Sequence, residues 1–138
     1  MFRLCSKFAR SIHRSVSDDS SVDASEADGV RSLHLGTDTV QSAMRINAPY
    51  ALELAYSRGM MCILLFSTTL RDVLAIGLGG GSVPKYIHQY LPEIVTRVIE
   101  INPQIIRIAR SHFKVPENDE RLQVIEGDGV LYLRENLN

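Results

Sequence analysis

The chain has 138 residues, 45% of them hydrophobic, enough to bury one core and hardly two, so one domain with appendages is expected. A formal net charge of −1 excludes the basic footprint of a nucleic-acid binder and offers no attraction to an anionic membrane surface. The uncharged run "GMMCILLFSTTL" at 59–70 falls short of the roughly 18 residues that cross a bilayer, and Cys5 and Cys62 lack disulfide or zinc-ligand spacing, as in a reducing, cytoplasmic compartment.

Residues 1–17 carry Arg3, Lys7, Arg10 and Arg14 without an acid. Phe2, Cys5, Ala9, Ile12 and Val16 recur there at intervals of three and four, the spacing of an amphipathic helix. That is a surface helix of a cytoplasmic protein or, in a eukaryote, a mitochondrial presequence. Residues 17–29, "SDDSSVDASEADG", are polar and acidic and predict a linker with one short strand at most. Residues 1–28 therefore read as a basic tail and an acidic linker.

"VRSLHL" at 30–35 and "TVQSAMRI" at 39–46 alternate as strands do, and "GTD" between them supplies turn chemistry, so residues 29–48 predict a small β-hairpin. Pro49 suits a first helical turn. Residues 50–66, "YALELAYSRGMMCILLF", have helical apolar spacing, with Gly59 as a weak point and Met60, Met61 and Cys62 as core of the helix.

From residue 73 the pattern becomes strand, glycine loop, helix, strand, helix, strand, helix. "VLAIG" at 73–77 predicts a strand buried on both faces. Ser82 and Pro84 start a helix that Pro92 ends. "IVTRVIEI" is the next strand, and "NPQIIRIARSHF" opens on an Asn cap and a Pro, with Ile105, Ala109 and His112 on one face. "LQVIEG" is a third strand and "DGVLYLREN" a third helix. The fold class is α/β: residues 49–138 form part of a Rossmann-like parallel sheet, preceded by the hairpin. Tyr86 and Tyr90 line one helix face. His13, His34, His88 and His112 have no metal-ligand spacing, and no metal is expected.

Gly77, Gly79 and Gly81 stand where a strand hands over to a helix. A nucleoside or phosphate can approach bare backbone there, beside the free N–H groups of the helix start. A purely structural glycine turn is the competing reading. Glu100, nineteen residues after Gly81 and near the end of the second strand, can accept both hydroxyls of a ribose. Asp128, followed by Gly129, opens onto the same crevice, where it either takes an adenine amino group or caps the helix behind it.

Taken together, "VLAIGLGGGSVPKYI…VIEINPQIIRIA…VIEGDG" resembles the spermidine synthase-like branch of the class I S-adenosylmethionine-binding fold, and "VRSLHLGTDTVQSAM" resembles that branch's N-terminal hairpin. The resemblance runs from about residue 29 to the end. It implies S-adenosylmethionine or its decarboxylated form as donor, with Gly77, Gly79 and Gly81 near the sulfonium, Glu100 on the ribose and Asp128 with Gly129 at the adenine. Gln41 resembles a glutamine at the edge of the family's active site; an exposed strand residue is the equal alternative. The implied reaction is aminopropyl transfer to a polyamine such as putrescine. Methyl transfer on the same fold and nucleoside binding without catalysis are the alternatives.

The sequence departs from the family in three places. The aspartate that holds the polyamine inside the glycine run is Gly80 here, the acid after the ribose-binding Glu is Asn102, and the His/Tyr motif before the first strand is not matched. The family's catalytic carboxylate follows a fourth strand, beyond residue 138, so no catalytic base is assigned. The chain thus reads as the N-terminal part of a longer protein. Should it end at Asn138, "VLAIG" would be an open apolar edge and homodimerisation through it is expected.

Overall fold

The computed structural model describes residues 9–17, 20–67 and 69–136. Its first layer is an antiparallel meander of four strands, β1 (Arg10–Ser17), β2 (Ser20–Ala27), β3 (Val30–Leu35) and β4 (Val40–Arg45), in that order. The hairpin expected at 29–48 is the second half of this sheet. Residues 10–17 and 20–27 are strands rather than the helix and linker expected of them; Phe2 and Cys5 of that helix lie outside the described residues. Two causes explain the correction. Asp28 and Gly29 both have positive φ, 51° and 73°, and join Ala27 to its partner Val30 through the two-residue turn whose twist matches a hairpin. Val22 and Ala24, alternate residues of an otherwise polar strand, are wholly buried in one cluster with Leu33, Ile105, Ile108 and Phe113. Burial against the rest of the chain overrides the acidic composition.

The helix expected over 50–66 shrinks to α1 (Ala55–Met60) and a 3-10 turn at Met61–Leu65. Before it, Arg58 Nη1 donates to the carbonyls of Leu52 and Glu53, both at 2.9 Å, and Ser57 Oγ donates to Leu54 O at 2.6 Å. These bonds hold residues 52–54 outside a helix. Met60 and Cys62 are exposed rather than core, and Phe66 is 87% exposed. No described helix is long and apolar enough to cross a membrane.

The second unit follows the expected order: β5 (Asp72–Ile76), α2 (Ser82–Tyr90), β6 (Val95–Glu100), α3 (Pro103–Phe113), β7 (Leu122–Glu126) and α4 (Gly129–Asn136). The three strands are parallel with β6 in the middle. Among the described strands β5 takes an edge, and it is not buried on both faces: Leu74 is 39% and Ile76 54% exposed. Asn102 caps α3, its Oδ1 accepting from Gln104 N at 2.9 Å with Pro103 in the first turn. The rings of Tyr86 and Tyr90 pack 5.0 Å apart on α2.

α3 joins the two sheets, touching β2 on one side and β6 and β7 on the other. Ile105, Ile108, Ala109 and Phe113 supply its buried side. Polar contacts fix the seam. Arg31 Nη1 donates to His112 O at 2.6 Å, Ser15 Oγ donates to Gln104 Oε1 at 3.2 Å, and the rings of His13 and His112 lie 5.1 Å apart.

Lys85 of α2 is 1% exposed and donates Nζ to Phe113 O at 2.6 Å, at the C-terminal end of α3. Burial lowers its pKa from 10.5 to about 8. Between about pH 8 and 10.5 the unfolded chain holds a proton that the folded chain has released, so this group makes stability rise with pH across that window. Urea midpoints measured against a Lys85→Met variant are expected to show that rise only in the unaltered protein; parallel profiles would contradict it. A second prediction concerns Gly81, which precedes α2 at φ 66° with the site of a missing Cβ overlapping Val115 Cγ2. Gly81→Ala is expected to cost about 2–4 kcal/mol in urea unfolding, from crowding and backbone strain together. Gly77→Ala, at φ 90° but with nothing within 4 Å, is expected to cost only the backbone share, about 1–2 kcal/mol.

Candidate functional site

The three parallel strands end side by side. Ile76 pairs with Ile99 and Glu100 with Glu126, and the ladder runs one step further, Gly77 N to Ile99 O at 2.8 Å and Gly127 N to Glu100 O at 3.0 Å. The strands then peel away toward α2, α3 and α4. Residues Gly77 to Gly81, Glu100 and Asp128 thereby meet at the C-terminal ends of the strands, where ligands bind open α/β sheets. Gly81 precedes α2 without a side-chain cap, so the N–H groups of the first turn have no side-chain partner from it.

Glu100 is only 5% exposed. Its Oε2 accepts from Leu78 N at 2.7 Å and its Oε1 from Asn102 N at 2.9 Å. The carboxylate therefore ties the glycine loop to the end of β6. A carboxylate offers about four lone-pair sites, so two backbone donors leave about two for a ligand, one on each oxygen.

The hairpin sheet closes on the loop from the other side. Ser42 Oγ accepts from Gly80 N at 2.9 Å and donates to Gln41 Oε1 at 2.5 Å. A Cβ at Gly79 would stand 2.6 Å from Gln41 Oε1 and 2.8 Å from both Gln41 Nε2 and Ser42 Oγ. Gln41 is thus exposed but not idle: its carboxamide lies over Gly79. Tyr56 Oη donates to Gln41 O at 3.1 Å, and Ser82 Oγ to Ala43 O at 3.5 Å. Ser42 and Tyr56 escaped the sequence reading. Ser42 reaches Gly80 across 38 positions of chain, so no local pattern announces it.

Asp128 is exposed, and its Oδ1 accepts from Val130 N at 2.7 Å and Leu131 N at 3.2 Å. It caps α4, and the described hydrogen bonds engage Oδ1 alone. Gly129 answers to packing: a Cβ there would meet Ile76 Cγ2 at 2.5 Å. Gly80 is closed in the same way, its missing Cβ facing Ser42 Cβ at 2.9 Å and Phe113 Cδ1 at 3.0 Å. Among the described residues no group of three or more His, Cys, Asp or Glu could hold a metal ion. What the crevice offers is bare backbone, one buried carboxylate with lone pairs to spare, a carboxamide and a second carboxylate at the rim.

No protein-family model matches the chain. It is 42% identical over 127 residues to the polyamine aminopropyltransferase of Chromobacterium violaceum, covering 92% of this chain and 49% of that protein. To the polyamine aminopropyltransferase of Neisseria meningitidis it is 47% identical over 114 residues, covering 82% of this chain and 43% of that one. The chain thus spans about half the length of the curated relatives it matches. Among solved structures, spermidine synthase of Thermotoga maritima superposes with a TM-score of 0.72 at 18% identity, covering 91% of this chain and 44% of its own. A spermidine synthase in complex with the transition-state analogue AdoDATO gives 0.73 at 20%, covering 91% and 43%. Human methyltransferase-like protein 13, in complex with SAH, gives 0.52 at 27%, covering 59% and 40%. In sequence the chain is similar to polyamine aminopropyltransferases along about half of their length, and in fold it is similar to spermidine synthases.

Proposed function

We propose that the crevice at the ends of β5, β6 and β7 binds S-adenosylmethionine or its decarboxylated form, and that the whole protein transfers an aminopropyl group from the decarboxylated compound to a polyamine such as putrescine. The observation that carries the reading is Glu100: a buried carboxylate, held by two backbone N–H groups, whose remaining lone pairs match the two hydroxyls of a ribose. Gly77, with open space in front of it, lets the nucleoside approach the backbone. Gln41 stands over the loop on the donor side, and Asp128 offers Oδ2 to an adenine amino group while Oδ1 caps α4. The names of the relatives and the AdoDATO complex of a structural neighbour support the same chemistry.

In that reaction a neutral amine attacks the carbon beside the sulfonium. The N–C bond forms, the S–C bond breaks, the sulfur leaves as a neutral thioether, and the amine gives up a proton. The described residues position the donor for this; none of them is assigned as the base. Methyl transfer is the second reading, favoured by one observation: position 80 has no room for an acid that would hold a cationic acceptor.

Calorimetric titration with the two donors separates the readings. Tighter binding of decarboxylated S-adenosylmethionine is expected; a preference for the carboxylated form overturns aminopropyl transfer in favour of methyl transfer. Glu100→Gln, which keeps one carbonyl oxygen for the loop, is expected to weaken either donor by about 5- to 100-fold, the loss of a hydrogen bond to a charged acceptor. Undiminished affinity in a variant with unchanged circular dichroism would remove Glu100 from the site.

A further inference from the structure

The seam between the N-terminal sheet and α3 holds two histidines. His13 of β1 and His112 of α3 are both half-buried, their rings 5.1 Å apart and tilted by 57°. Ser111 Oγ gives its one proton to Arg107 O at 2.7 Å, so it accepts from His112 Nδ1, also at 2.7 Å. Neutral His112 therefore carries its proton on Nδ1 and gains a second at Nε2, which no described hydrogen bond engages.

Charge around the pair is lopsided. The elements that meet here, β1 to β4 and α3, contain two carboxylates, Asp23 and Glu26. Asp23 stands on the opposite face of β2 from buried Val22 and Ala24, with Arg14 Nε 3.4 Å from its Oδ1. Glu26 is held by Arg31 Nη2 at 2.9 Å and lies opposite Arg10 in the register. Arg31 also donates to His112 O, and on α3 Arg110 is paired with Glu117 at 3.0 Å. No carboxylate of these elements is left to offset a new positive charge in the seam. Burial first, then His13 and Arg31, hold the His112 pKa below its ordinary 6.5. The fold thus favours the neutral ring, and the stability this contributes is complete above pH 6.5 and is lost as the pH falls below it.

We infer that the His13–His112 pair is an acid-sensitive latch: protonation of both rings pushes β1 off α3 and, through the sheet, loosens the hold of Ser42 on the glycine loop. One cross-sheet row carries the effect. His13 pairs with Ala24, Ala24 with Leu33 and Leu33 with Ser42, whose Oγ accepts from Gly80 N. Ala24 and Leu33 are wholly buried, so the row is close-packed and transmits a displacement rather than absorbing it.

Hydrogen–deuterium exchange of the full-length protein without ligand, corrected for the intrinsic effect of pH, reads both ends of the latch. From about pH 7.5 to about pH 5.5, protection in β1 and β2 and in the glycine loop is expected to fall about three- to tenfold. His13→Gln and His112→Gln cannot take up the charge and leave the backbone bond from Arg31 to His112 O in place. Each is expected to hold the change to within about twofold, and should one fold poorly the other decides. Protection that survives acid in the unaltered protein overturns the inference. Equal losses in the variants do so too, because they assign the acid sensitivity to other groups. Loss in β1 and β2 with an unchanged glycine loop overturns the link to the crevice. No donor is added, so the outcome is independent of the nucleoside-binding reading.

Discussion

A single buried carboxylate organises the crevice. Glu100 sits at the end of the central strand, where solvent is largely excluded and an uncompensated charge would be costly. It is compensated by backbone N–H groups on either side, Leu78 from the glycine loop and Asn102 from the entry to α3. Both strand-to-helix connections are thereby referred to one point. The loop can dispense with side chains because its backbone is fixed by Glu100 on one side and Ser42 on the other, at residues 78 and 80 in turn. Gly79, between them, is held without a side chain of its own and covered by Gln41.

The antiparallel sheet belongs to this arrangement as much as the parallel one does. α3 contacts β2 as well as β6 and β7, and its apolar side chains lie in one buried cluster with residues of both sheets, so the sheets share one core. Register within the meander then decides which residues of β4 face the loop. Ser42 pairs with Leu33 across the sheet. A slip of one position would turn Ser42 away and bring Gln41 or Ala43 to Gly80 instead. The turn at Asp28 and Gly29, remote from the crevice, sets the pairing of β2 with β3 and so the seat of the meander on α3.

The α/β order was legible because each transition carries local punctuation: glycines after β5, Asn102 and Pro103 before α3, Asp128 before α4. Gln41, Glu100 and Asp128 were singled out from the sequence as candidates, and the structure lays Gln41 over Gly79, ties Glu100 to the glycine loop and sets Asp128 at the start of α4. The strands at 10–17 and 20–27 were not legible, although "DG" at 28–29 is a hairpin signal in its own right. Their polar residues, basic in 10–17 and acidic in 20–27, hide a thin inward stripe: Val22 and Ala24 are buried and Ile12 packs against the same core, with α3 some 80 positions or more further along supplying the partner side chains. The reverse error occurred at 50–66, where helical spacing misled because Arg58 and Ser57 spend their hydrogen bonds on the carbonyls of residues 52–54. Ser42 was illegible in principle, since its partner is fixed by the docking of two sheets and by nothing adjacent in sequence.

The most direct test of the central claim is a crystal structure grown with S-adenosylmethionine. Both ribose hydroxyls are expected about 2.5–3.0 Å from the Glu100 carboxylate, which keeps its contacts to Leu78 and Asn102 N–H. A ligand seated elsewhere, or a Glu100 side chain rotated away from the loop to make room for it, would contradict the account.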